Sequence, residues 1–149
     1  MLSNSNLQFF NIGKYGGLYT DTADFSRLPR PYFNIGMVLK GNAVFYAENS
    51  EPVSVTAGEI IVVPTGAVYV SRWVGNPEIS YITFHFILEK CFDKIYNIQK
   101  ISGVERLKSK FEFAYEKFSD PSYSFKILEI FYGVLSEVYP KIIKSQKNV

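Results

Sequence analysis

The run Gly58-Glu59-Ile60-Ile61-Val62-Val63-Pro64-Thr65-Gly66, followed by the alternating Val68-Tyr69-Val70-Ser71-Arg72-Trp73, constrains the fold more than any other part of the chain. Four consecutive β-branched residues suit a short strand buried on both faces, and Pro64, with a fixed φ and no N–H, ends it. Thr56-Ala57-Gly58-Glu59 and Pro64-Thr65-Gly66 are turn sequences on either side. The same layout recurs from about residue 7 to residue 88, where "LQFFNI", "YFNIGMVLK", "NAVFYAE", "PVSVT", "EIIVVP", "VYVSRWV" and "ISYITFHFIL" are candidate strands. Such short, closely spaced strands argue for a sandwich or barrel. Lys40-Gly41-Asn42 is expected to join two of them as a tight hairpin, because Gly and Asn tolerate positive φ.

Beyond about residue 94 the period changes. Val104, Leu107, Phe111, Ala114 and Phe118 recur at three and four residues, the mark of an amphipathic helix preceded by Gly103. Asp120-Pro121 breaks it, and Ser122 is expected to cap a second helix. That helix carries a stripe of Ile127, Phe131, Val134, Val138 and Ile142, widened by Leu128 and Leu135. Two readings of the stripes stay open: the helices cover the barrel, or they also bury a face on a second copy. The expected organisation is one domain, with residues 1–92 as barrel and N-terminal arm and residues 93–149 as a helical hairpin of the same domain.

The 149 residues suffice for one domain with a sizeable core. A hydrophobic fraction of 47% and an aromatic fraction of 17% exclude a disordered tail. The net charge of +2 is dispersed without a Lys/Arg stripe, so this segment is not expected to bind a duplex by itself. Lys141, Lys144 and Lys147 read as a solvated terminus. The single Cys91 has no internal partner for a disulfide and no basic neighbours to activate it, which suits a reducing compartment. With no signal-like start and no apolar run of membrane-spanning length, a soluble cytoplasmic protein without a membrane partner is expected.

Strand alternation sorts the candidate site. In "ISYITFHFIL" the side chains of Tyr81, Thr83 and His85 share one face and Ile82, Phe84 and Phe86 the other. The same parity groups Tyr69, Ser71 and Trp73, and places Asn34 and Gly36 on the adjoining strand. Aromatic faces beside hydroxyls and an amide suit a small polar ligand such as a sugar, although a core closed by satisfied hydroxyls has the same pattern. Arg30, held between Pro29 and Pro31, is either a fixed anion- or hydroxyl-binding group at the barrel mouth or a surface residue. His85, the one histidine, is either a hydrogen-bonded structural residue or a ligand contact.

From Gly58 to Trp73 the spacing resembles the second motif of the cupins, at whose ligand positions this chain has Tyr69 and Trp73 instead of His and Asn. Ahead of Gly41 the first motif's two His and Glu are missing, with Asn34 at the Glu position. A neutral phenol and an indole N–H are poor metal ligands, so neither a metal nor a cofactor is expected. More widely, "RPYFNIGMVLKGNAVFYAENSEPVSVTAGEIIVVPTGAVYVSRW" followed by "ISYITFHF" resembles the N-terminal effector-binding domain of AraC-type transcription regulators, over roughly residues 30 to 86.

The resemblance implies a mainly β fold with C-terminal α: a cupin-like jelly-roll barrel followed by a two-helix dimerisation hairpin. It implies a small effector, often a sugar, bound in the barrel, with Arg30, Tyr81 and Thr83 nearest the family's sugar contacts; with Asn34, Tyr69, Ser71, Trp73 and His85, grouped by strand alternation, these are the expected effector site. It further implies a homodimer, here through Ile127, Phe131, Val134 and Val138, and an N-terminal arm whose Phe9, Phe10 and Tyr15 close over the effector. DNA would be bound only through separate helix-turn-helix domains, absent from a chain ending in "KSQKNV". A non-enzymatic sensor is the leading expectation. The alternatives are a metal-free sugar epimerase or isomerase using His85 and Tyr69 as acid and base, and a filled barrel whose helices only dimerise.

Overall fold

The computed structural model describes residues 6–88, 92 and 96–143. Cys91, Lys144, Lys147 and the expected division between residues 92 and 93 lie outside or at the border of the described residues. Seven strands form one sheet: β1 (Leu7–Asp24), β2 (Phe33–Lys40), β3 (Asn42–Ala47), β4 (Val53–Thr56), β5 (Ile60–Val63), β6 (Tyr69–Leu88) and β7 (Gln99–Ile101). Two helices follow, α1 (Lys108–Lys117) and α2 (Ser124–Val138), with single-turn helices before and after them. The architecture is mainly β, a nearly closed cupin-like barrel with C-terminal helices.

The 20-residue β6 organises the sheet. Along one side β1 pairs with it antiparallel, from Leu7 opposite Leu88 to Asp24 opposite Val70. On the other side β2 covers its second half and β3 its first, from Phe33 opposite Phe86 to Ala47 opposite Tyr69. The hairpin expected at Lys40-Gly41-Asn42 is therefore not formed: β2 and β3 lie end to end along β6 rather than against each other. Gly41 makes the corner between them at a φ of 85°. A Cβ there would come within 2.7 Å of the Val74 carbonyl oxygen. "VYVSRWV" and "ISYITFHFIL" are likewise one strand, and "LQFFNI" continues to Asp24. The turns at Thr56–Glu59 and Pro64–Ala67 are closed by backbone bonds of 3.0 and 3.2 Å.

Alternation along β6 splits the apolar residues into two cores. The even-numbered Ile82, Phe84 and Phe86 face the helices, where Phe84 stacks on Phe111 at 4.5 Å and Phe131 meets Phe10, Phe84 and Phe86 at 4.6, 5.6 and 5.0 Å. Tyr69, Trp73 and Tyr81 face the barrel interior with Val38, Phe45, Val55, Ile61 and Val63. Each large apolar side chain so buried contributes about 1.5–3 kcal/mol.

This packing corrects the expected dimer face. Ile127, Phe131, Val134 and Val138 are 3%, 0%, 0% and 0% exposed, covered by the chain's own barrel and α1. Periodicity shows that a helix face is buried but not what buries it. The cap is corrected too: the Asp120 carboxylate accepts from the Ser122 N–H at 3.0 Å, and Ser122 lies in a single-turn helix, Pro121–Tyr123, ahead of α2. Phe118 lies past the end of α1 and is 38% exposed, whereas Val104, Leu107, Phe111 and Ala114 are buried.

Candidate functional site

Inside the barrel a cavity of about 170 Å³ is lined by Arg30, Asn34, Tyr69, Ser71, Trp73, Tyr81, Thr83 and His85, all eight residues grouped from the sequence, together with Gly13, Lys14, Tyr15, Ala23, Phe25 and Phe45. The odd-numbered positions of β6 build one wall. In the register, Asn34 stands opposite His85, and Phe45 opposite Ser71. Thr83 has glycine on both flanks, Gly13 on β1 and Gly36 on β2. A Cβ on Gly36 would stand 2.5 Å from the Tyr81 ring, and one on Gly13 would stand 2.8 Å from His85 Cε1. Tyr81 and His85 thus lie across the two bare positions.

The walls are aromatic. Trp73 packs against Tyr15 and Tyr81 at 5.2 Å each, and Tyr69 against Phe25 at 5.2 Å and Phe45 at 5.5 Å. The indole N–H of Trp73 donates to Ser71 Oγ at 3.0 Å, which fixes the ring and satisfies a buried donor. At the mouth, the loop between β1 and β2 brings in Phe25, Arg30 and Tyr32. Arg30 Nη1 donates to the Tyr32 hydroxyl at 2.9 Å, with the guanidinium carbon 4.4 Å from the Phe25 ring centre. Tyr32 in turn stacks on His85 at 4.5 Å and on Phe9 at 5.6 Å.

Among the residues expected to close over an effector, only Tyr15 lines the cavity. Phe9 reaches it through Tyr32, and Phe10 lies on the opposite face of β1 against Phe131. The sequence reading missed Phe25, Tyr32 and Phe45. Phe45 was recoverable from its alternation with Ala43 on β3; the two loop residues carry no periodic signal.

Two polar groups here are weakly paired. His85 Nδ1 is buried and has no hydrogen-bond partner among the described residues. Asn34, 6% exposed, donates only a long 3.5 Å bond to the Tyr32 carbonyl. Burial, with a smaller contribution from the Arg30 charge, pushes the His85 imidazole down to about 4, so it is neutral at pH 7. Burial raises the Tyr69 phenol to about 12, and raises those of Tyr81 and Tyr15 as well, the latter further held by its 2.6 Å bond to the Asp21 carboxylate. Among the described residues no group of three or more His, Cys, Asp or Glu side chains is placed to hold a metal. No helix among them is long and apolar enough to cross a membrane.

A larger, more open groove of about 470 Å³ lies between Phe33, Phe92 and Tyr96 and the turns around Glu48 and Pro64. It is an open cleft lined largely by turn and loop residues, Glu48, Ser50, Thr65 and Asn97 among them, beside apolar rings. The barrel cavity is the candidate site.

No family model and no curated protein sequence matches the chain. Solved structures do match in fold. ToxT from Vibrio cholerae with an unsaturated fatty acid bound superposes with a TM-score of 0.66 at 17% identity, over 94% of this chain and 56% of that one. ToxT bound to (E)-4-(8-methylnaphthalen-1-yl)but-3-enoic acid gives 0.65 at 14% identity, over 89% and 57%. The AraC-like transcriptional activator CuxR gives 0.63 at 13% identity, over 94% and 55%. The chain therefore spans little more than half the length of these structures.

Proposed function

We propose that this chain is the effector-binding half of an AraC-type transcription regulator, and that the barrel cavity holds a small polar effector without a metal. The observation that carries this reading is the convergence of side chains from β1, β2, β3, β6 and the Phe25–Tyr32 loop on one cavity with aromatic walls and incompletely paired polar groups. A merely structural core would leave no space and would satisfy its amide and imidazole. The likeness in fold to CuxR and to ligand-bound ToxT supports the same reading.

In this reading the chain is a sensor rather than an enzyme. An epimerase using His85 and Tyr69 would need an acid and a base that exchange protons near neutral pH. His85 at about 4 and Tyr69 at about 12 are both poorly matched to that task. DNA binding would belong to a domain outside this segment, and the protein would act in the cytoplasm. A homodimer would use the outer face of α2, where Phe125 is 87% and Tyr132 43% exposed, with the half-buried Leu128 between them at helical spacing.

The test is a thermal-shift panel of sugars, small carboxylic acids and neutral ring compounds on the metal-analysed protein. Stabilisation by a panel member that is lost on Tyr81→Ala supports the reading. Stoichiometric bound metal would overturn the metal-free site, and a panel without any stabilising member would count against the cavity as a receptor.

A further inference from the structure

We infer that the effector is a compact monoanion, a single ring bearing one carboxylate, with the ring against the aromatic walls and the carboxylate at the mouth on Arg30. This rests on the reading of the barrel cavity as the effector site and narrows it. Size comes first. At about 170 Å³ the cavity is close to the apolar voids of about 150 Å³ that accept one benzene, and well below the roughly 300–1,000 Å³ of sites for larger ligands. One ring with a small substituent is of the size that fills it.

Charge comes second. Among the described residues no Asp or Glu lines the cavity, and the two cations that do are Arg30 and Lys14. Lys14 sends its ammonium 5.4 Å from the Tyr115 ring, on the helix side of β1. Arg30 stays at the mouth, and no ion pair among the described residues involves it. Its bond to the Tyr32 hydroxyl and its position over Phe25 hold the guanidinium in place, and several of the five donors remain for a second, planar partner. A carboxylate matches that fork; a lone hydroxyl does not. Asp21 is exposed and already accepts from the Tyr15 hydroxyl and the Thr22 N–H.

Polar placement comes third. Asn34 and His85 stand opposite each other across β2 and β6, beside Tyr32, with His85 Nδ1 buried and unpaired among the described residues. They can meet a polar substituent on the ring, such as a hydroxyl, beside the Tyr69, Ser71, Tyr81 and Thr83 hydroxyls that also line the cavity.

Calorimetric titration of the whole chain with benzoate, benzamide and arabinose, repeated on Arg30→Gln, tests this. Because Arg30 is exposed, the variant is expected to fold. Benzoate should bind saturably and at least about ten-fold more tightly than benzamide or arabinose, and Arg30→Gln should abolish that gap. If benzamide or arabinose binds as tightly as benzoate, or if the gap survives in Arg30→Gln, the anion assignment is wrong while the cavity remains a receptor. If none of the three binds, both fail.

Discussion

The Tyr81 ring lies flat across Gly36, so close that a Cβ on Gly36 would stand 2.5 Å from its ring carbons and hydroxyl. The glycine is there for that ring, since Gly36 is not among the glycines with positive φ. Tyr81, 8% exposed, has little room to retreat. Gly36→Ala should therefore destabilise the fold by about 1–3 kcal/mol through overpacking and reduce ligand binding at the same time. Chemical denaturation and titration of the variant check both. A neutral substitution would mean that Tyr81 is free to move.

His85 sets a pH dependence. Its folded-state pKa is depressed from 6.5 to about 4, so the unfolded chain takes up the proton first as the pH falls. The stability associated with neutral His85 is complete above about 6.5 and is lost progressively between about 6.5 and 4. The expected result is a slope in stability across that window which His85→Gln removes. Thermal unfolding of both proteins from pH 4 to pH 7 measures it.

Neighbouring residues on α2 should behave in opposite ways. Phe131 is 0% exposed and contacts the Phe10, Phe84 and Phe86 rings, so Phe131→Ala should cost about 3–5 kcal/mol of stability. Tyr132 is 43% exposed, so Tyr132→Glu should change stability little but raise the monomer fraction in sedimentation, most clearly when combined with Phe125→Glu. A wild-type protein that is monomeric at high concentration would remove the dimer from this account.

How much was legible in the sequence follows from what a period can encode. Alternation on β6 separated Tyr81, Thr83 and His85 from Ile82, Phe84 and Phe86, and carried over to Tyr69, Ser71 and Trp73, because side chains on a strand change face at every residue. Gly41 was misread because a corner between collinear strands and a hairpin turn use the same residue types. The stripe through Phe131 was recognised as buried, but its period left open whether the barrel alone or also a second copy covers it, since both are equally apolar; the four residues assigned to a dimer contact lie in the chain's own core. Phe25 and Tyr32 went unseen because their place at the mouth depends on where a loop lands after the sheet has formed.

The most direct test of the central claim uses Trp73, the one tryptophan in the chain, which lies in the cavity wall 2% exposed with its indole N–H on Ser71. Its emission should change saturably as benzoate is titrated in, and that change should vanish in Thr83→Leu, which fills the space between Gly13 and Gly36. Unchanged emission in the wild type at saturating benzoate, or the same response in the filled variant, would contradict the assignment of this cavity as the effector site.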